Sequence, residues 1–281
     1  MKRILIAGRD SYIGVSLKKY LNANGEYYIE TADMVGGEWK NIDLSLFDCI
    51  FFTAGIVHQG RRVNEKIYFD VNSRLPYEMA SLAKEKGVGS FIFMSTMSVY
   101  GDDEGEIGKS TPPSPKSRYG RSKFDGEQKL STLSGDGFSL YFLRPPMVYG
   151  KGCRGNYNIL ASFVKKIGVF PCYDNKRSMI YIDNLCFFIK RIIDGELAPG
   201  VWLPQNREYV NTSGMARMIA EVNGKRLFMP GIFNPFITLG KRLGIEIFKK
   251  CFASYRYSRE DENTLIGLVE FSESVRLTEE K

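Results

Sequence analysis

Histidine is nearly missing from this chain: His58 is the only one in 281 residues. A Ser-His-Asp triad needs a histidine base, and most zinc sites need histidines or paired cysteines. The five cysteines (Cys49, Cys153, Cys172, Cys186 and Cys251) are odd in number and scattered. They read as free thiols of a reducing compartment, so a cytoplasmic protein with no metal site is expected. No apolar run reaches the roughly 20 residues of a spanning helix, so no integral membrane segment is expected. The opening Met1-Lys-Arg-Ile-Leu-Ile-Ala-Gly8 lacks the long apolar stretch and small-residue cleavage site of a signal peptide. Internal repeats and low-complexity tracts are absent. The formal net charge is +7, yet no basic run is interleaved with aromatics, and no nucleic-acid partner is expected.

What is present is the composition of an ordinary globular protein, 43% hydrophobic and 25% charged. That length makes one large domain or two small ones, and the positive surplus suits an anionic ligand. Short apolar runs at 3–7, 27–31, 49–53, 90–94 and 138–143 read as strands. Helical periodicity fills 15–22, 72–86 and 117–133, with Gly25 and Gly87 as stops. Strands separated by helices predict an α/β fold with a doubly wound parallel sheet. Further on, helices are predicted over 156–167, 212–223 and 236–252, with a strand at 178–183 leading into a helix through Ile193. These pieces suggest a smaller C-terminal lobe over the carboxyl ends of the strands. A polar tail from about Ser272 is expected to be partly disordered. The apolar turn from Pro230 to Phe236 is read first as ordinary packing, ahead of a cap on a ligand pocket or a lipid contact.

Two motifs carry chemistry. Tyr119-Gly-Arg-Ser-Lys123 places a phenol and an ammonium one helical turn apart. A nearby ammonium favours the phenolate, so the Tyr119 pKa is expected to fall toward neutral, which suits proton transfer at a carbinol oxygen. Thr96, at the end of the strand before, could hold the same oxygen. The second motif, Gly8-Arg-Asp-Ser11-Tyr12-Ile13-Gly14, lies between the first strand and first helix, where a dinucleotide fold brings its backbone to a pyrophosphate. Ser11 stands where a glycine is usual. An acid after the second strand would hold the ribose hydroxyls, and Glu30 or Asp33 is a candidate; Arg9 could instead meet a 2′-phosphate. Asp43 and Leu44 are placed near an adenine, and Thr53-Ala54-Gly55 lets a cofactor lie close.

Together these residues resemble the extended short-chain dehydrogenases/reductases, in the NAD-dependent nucleotide-sugar epimerase/dehydratase branch that includes UDP-glucose 4-epimerases. The matching pieces, in the family's order over about residues 4–184, also include Thr53 to His58, Val71-Asn72, Ser95 to Gly101, Leu143 to Gly150 and Arg177 to Asn184. The resemblance implies a Rossmann-type dinucleotide-binding domain over 1–150. It also implies a nucleotide-sugar lobe over 151–281, interleaved with the last strands of the sheet. It makes Tyr119 the catalytic tyrosine, Lys123 its partner and a holder of the nicotinamide ribose, and Thr96 the hydroxyl at the reacting sugar oxygen. Asn72 and Pro146 fall on the cofactor side, with NAD slightly favoured over NADP. Met97 and His58 fall on the sugar side, and Asn156, Asn158 and Arg177 where the family grips a nucleotide diphosphate. A homodimer built on the Tyr119 helix is implied as well.

Sugar dehydratases of this branch carry Thr-Asp-Glu where this chain has Thr96-Met97-Ser98, which supplies neither acid nor base. Dehydration is therefore set aside. A 4-epimerase acting on a UDP-hexose or UDP-N-acetylhexosamine is favoured. A reductase of nucleotide 4-keto sugars that consumes NADPH stays open, and a non-catalytic dinucleotide sensor is less favoured because Thr96, Tyr119 and Lys123 are all retained.

Overall fold

The computed structural model describes residues 1–57, 64–101, 104–135 and 137–280. In chain order the strands are β1 (Lys2–Ala7), β2 (Tyr27–Ala32), β3 (Cys49–Phe52), β4 (Ser90–Met94), β5 (Gly105–Ile107), β6 (Ser139–Leu143), β7 (Met147–Tyr149), β8 (Met179–Tyr181), β9 (Gly200–Trp202), β10 (Gln205–Asn206), β11 (Tyr255–Tyr257) and β12 (Leu265–Ile266). The helices are α1 (Tyr12–Ala23), α2 (Glu65–Phe69), α3 (Leu75–Glu85), α4 (Arg118–Ser131), α5 (Asn156–Ile167), α6 (Ile182–Asp194), α7 (Thr212–Val222), α8 (Asn234–Arg242), α9 (Glu246–Phe252) and α10 (Phe271–Glu279). The chain forms two compact units.

The first unit takes Met1–Gly101, Pro112–Pro145 and Cys186–Pro204. Its sheet has six parallel strands in the order β2-β1-β3-β4-β6-β9. Strands such as Cys-Ile-Phe-Phe in β3 are apolar at every position because helices cover both faces of such a sheet. Leu5, Ile50, Phe52, Phe91 and Phe93 share one core with Met79, Ala80 and Ala83 of α3. The chain leaves β1 for β2 on one side and returns to β3 on the other, so the order reverses between β1 and β3. Parallel pairing also sets the carboxyl ends of the strands along one edge, the edge where open α/β sheets bind ligands.

Helical structure around α3 starts earlier than periodicity predicted. Asn64 caps α2 by accepting the Lys66 N–H, and a π-helical turn, Asp70–Arg74, joins α2 to α3. Strand β9 was not foreseen, since Gly200-Val-Trp202 is too short to show a period.

The second unit takes Asp102–Thr111, Pro146–Leu185 and Gln205–Lys281. Its strands form three parallel pairs, β5 with β11, β7 with β8 and β10 with β12. The single helix predicted for 236–252 is two helices, because the chain turns at Gly244 (φ +75°). The tail expected to be disordered is instead α10. Its Ser274 and Val275 are fully buried. Ser274 hydrogen-bonds the Tyr149 hydroxyl at 2.6 Å, and Glu279 accepts from Tyr157, Lys165 and Asn223. Polar anchoring of this kind is invisible to a hydropathy pattern.

Candidate active site

The glycine-rich turn follows β1 directly. The N–H groups of Gly8 and Arg9 both donate to the Ala32 carbonyl at the end of β2, at 3.0 and 3.1 Å. Gly8 has φ +124°, and a Cβ there would sit 2.8 Å from the Ala54 nitrogen, so only glycine lets the β1 and β3 ends approach this closely. Ser11 caps α1: its hydroxyl accepts the Gly14 N–H at 3.0 Å. The first-turn amides at Tyr12 and Ile13 lie at a helix start, where the backbone favours an anion. Asp33 stands immediately after β2, beside the carbonyl that holds Arg9, while Glu30 lies within the strand and accepts from Tyr28. Asp43 caps a short 3-10 turn over Leu44–Leu46 and Leu44 is buried.

After β3 the chain passes through Thr53, Ala54 and Gly55 to a clamp. Asn72 is fully buried. Its carboxamide accepts the Ile56 N–H and donates to the Ile56 carbonyl and to the Ser122 hydroxyl, each at 3.0 Å. Asn72 therefore braces this loop against α4, with its polar atoms spent inside the protein.

Thr96 follows β4 and starts a 3-10 turn over Met97–Tyr100 by accepting the Ser98 N–H. Helix α4 comes close to this turn. A Cβ on Gly120 would lie 2.4 Å from the Ser98 carbonyl oxygen, so glycine next to Tyr119 permits the approach. The outcome is a hydrogen bond between the hydroxyls of Tyr119 and Thr96. Met97 is buried, with its N–H on the Pro145 carbonyl, and Pro146 follows on the way to β7.

Lys123 lies one turn after Tyr119 and is 3% exposed. Its ammonium donates to the Met94 carbonyl at 2.8 Å and sits 4.7 Å from the centre of the Phe93 ring. Burial lowers its pKa to about 7, with Glu127 opposing the fall. The Tyr119 phenol is not depressed, as the Tyr-Lys spacing had suggested. Burial pushes it up to about 12, and the hydrogen bond to Thr96 only partly offsets that. The expectation assumed a solvated ammonium; here desolvation governs both groups.

In the second unit lie the three residues expected at a nucleotide diphosphate, Asn156, Asn158 and Arg177. Asn158 turns its carboxamide back onto the Cys153 carbonyl, so it ties down its own loop. Asn156 is exposed at the start of α5. Arg177 is pinned through its backbone between Val210 and Tyr255, and its guanidinium donates to the Ala253 carbonyl at 3.0 Å. His58 lies outside the described residues.

Residues 4–202, more than half of the chain, match the NAD dependent epimerase/dehydratase family. The chain belongs to that family. It is 29% identical over 248 residues to a UDP-glucose 4-epimerase of Vibrio cholerae, covering 78% of this chain and 75% of that one. A UDP-2-acetamido-2,6-beta-L-arabino-hexul-4-ose reductase of Pseudomonas aeruginosa is 26% identical over 234 residues, covering 80% of this chain and 58% of that one. Among solved structures, a UDP-glucuronic acid 4-epimerase from Bacillus cereus in complex with NAD aligns with a TM-score of 0.77 at 19% identity, covering 99% of this chain and 95% of that one. Among the described residues, no helix is long and apolar enough to cross a membrane.

Sequence reasoning missed the support behind Tyr119 and Lys123. Glu127, one turn beyond Lys123, is buried against Arg144. Arg144 Nε donates to both Glu127 carboxylate oxygens at 3.0 and 3.2 Å, Nη1 donates to the Tyr100 hydroxyl at 2.8 Å, and Ser95 donates to Glu127. Burial works against the Arg144 charge, but Glu127 outweighs it and raises the Arg144 pKa above its usual range. The signal was present as the i, i+4, i+8 row of Tyr119, Lys123 and Glu127.

The buried lysine predicts a pH effect. In the unfolded chain a lysine titrates near 10.4, against about 7 in the fold. Between those values the unfolded chain binds a proton that the folded chain does not, so this group makes stability rise with pH across that window. The denaturation midpoint of the native protein, relative to Lys123→Met, is expected to climb from pH 7 to 9.5. Parallel curves for the two proteins would show that Lys123 keeps an ordinary pKa.

Proposed function

We propose that this chain is an NAD(P)-dependent nucleotide-sugar 4-epimerase that acts on a UDP-hexose or UDP-N-acetylhexosamine. The observation that carries the reading is the Thr96–Tyr119 hydrogen bond beside buried Lys123, on the same sheet edge as the Gly8 turn. That edge fits a dinucleotide: Gly8 leaves open the space that a Cβ would fill against Ala54, and α1 presents its amide end. Tyr12, Ile13 and Gly14 would face the pyrophosphate, Asp33 or Arg9 the adenosine ribose, and Lys123 the nicotinamide ribose. A bound nicotinamide supplies the hydride acceptor and donor at the sugar C4. Thr96 orients the C4 oxygen. Tyr119 takes the hydroxyl proton when that carbon is oxidised and returns it on reduction. Tyr119 takes that proton as its phenolate, and the ammonium form of Lys123, one turn along α4, would favour the phenolate.

Arg177, Asn156 and Asn158 are assigned to the sugar-diphosphate side, where an arginine fork suits phosphate oxygens. The reductase reading is supported by the Pseudomonas relative, which aligns over 80% of this chain. One assay separates the two. With UDP-glucose or UDP-N-acetylglucosamine and no added NADPH, the epimerase forms the 4-epimer at equilibrium. One-for-one NADPH consumption with a 4-keto sugar, and no epimer from either UDP-sugar, would replace that reading with the reductase.

A further inference from the structure

Eight of the 21 large apolar side chains exposed among the described residues fall between Phe228 and Ile247. They do not scatter. Ile232 and Phe233 lead into α8, where Phe236, Leu239 and the C-cap residue Leu243 recur at i, i+3 and i+7 and are 67%, 54% and 69% exposed. That spacing puts them on one stripe of the helix. The stripe beside it is turned inside: Ile237 is buried, and Gly240 lies against the Phe248 ring of α9. Ile247 of α9 is 62% exposed. Elsewhere in the same unit, α5 exposes Ile159, Phe163 and Ile167 at i, i+4 and i+8. Phe163 meets Phe170, and Phe170 meets Phe252 at the end of α9, so the α5 stripe borders the α8–α9 pair.

The charges of this segment are one-sided. Residues 228–252 hold Lys241, Arg242, Lys249 and Lys250 against a single acid, Glu246. Lys165 and Lys166 close α5, and Lys225 and Arg226 precede Phe228. Lys241 pairs with Glu104 from outside the segment, Lys250 with Glu246, and Lys165 of α5 with Glu279, so the surplus rests on Arg242, Lys249, Lys166, Lys225 and Arg226. A stripe of Phe, Leu and Ile flanked by lysine and arginine is the pattern of helices that lie in a membrane interface. A second copy of the same face would oppose cation with cation. An anionic lipid surface opposes cation with anion, and buries the apolar stripe as well.

We propose that α8, α9 and the turn before them form a docking surface for an anionic bilayer, making this a peripheral membrane protein. The apolar stripe enters the interface and the basic residues meet lipid phosphates. This reading takes the lipid contact for Pro230 to Phe236 in place of the packing turn expected from the sequence. It is independent of the reaction proposed above.

The test is co-sedimentation of the full chain with phosphatidylglycerol/phosphatidylcholine vesicles and with phosphatidylcholine vesicles alone. Binding is expected to the anionic vesicles only, falling about tenfold or more between 50 and 500 mM salt as the surface charge is screened. The Phe236→Asp/Leu243→Asp variant is expected to stay in the supernatant while keeping the native circular dichroism. Equal binding by that variant, or no binding by the native chain, overturns the proposal. The proposal is also overturned if the native chain ignores anionic vesicles but light scattering shows a dimer that the variant splits, because the face is then a contact between copies.

Discussion

Tyr119→Phe is expected to lower turnover of the UDP-sugar by about 10²- to 10⁴-fold, the range typical of one acid–base group, and to leave dinucleotide affinity within a few-fold of native. The hydroxyl is the only atom lost. It holds the bond to Thr96 and, in the proposed reaction, the proton that leaves and returns at the C4 oxygen. The packing of α4 against β4 has other supports: Lys123 is fixed by the Met94 carbonyl and Asn72 braces the helix through Ser122. Thr96→Val removes the other half of the hydroxyl pair and is expected to follow with a smaller loss. Native turnover by Tyr119→Phe, measured with saturating UDP-sugar, would remove the tyrosine from the mechanism.

Glu127→Ala is expected to cost about 3–5 kcal/mol of stability, because it strands the buried Arg144 charge. Arg144 and Glu127 side chains are 8% and 5% exposed, so water does not rescue the loss. Replacing both, as Glu127→Leu/Arg144→Met, is expected to recover much of the deficit, since a buried pair is often no more stabilising than apolar groups of its volume. Denaturant midpoints of the single and double variants decide it. A loss below about 1 kcal/mol in the single variant would mean that the pair is solvated in solution. The pair also anchors the face of α4 that carries Lys123, so the single variant should lower turnover along with stability.

Much of this was readable from residues. Apolar runs such as Cys49-Ile-Phe-Phe52 mark buried parallel strands because both faces are covered, and the Gly8 turn between β1 and α1 follows from glycine's reach into positive φ. The Tyr119, Lys123 and Thr96 grouping was legible as spacing plus strand end. What stayed hidden were effects set by tertiary surroundings. The direction of the Tyr119 pKa shift depends on burial, which no i, i+4 rule contains. The use of Asn72 and Asn158 as braces depends on which carbonyl each carboxamide meets. Helix α10 is held by Ser274 and Glu279, polar residues whose hydrogen bonds to Tyr149 and Tyr157 each span more than 100 residues. The exposed stripe of α8 was hidden too, since Phe236, Leu239 and Leu243 look the same in sequence whether a helix turns them inward or outward.

The central claim is that hydride leaves C4 of the sugar and returns to the same sugar. The most direct measurement is conversion of a UDP-hexose carrying deuterium at C4, with the purified protein and no added NADPH, followed by NMR. The epimerase account predicts a 4-epimer that keeps its deuterium at C4, with no net change in NAD(P)H absorbance. Loss of the label to solvent, or product formation only as NADPH is consumed one for one, would contradict it.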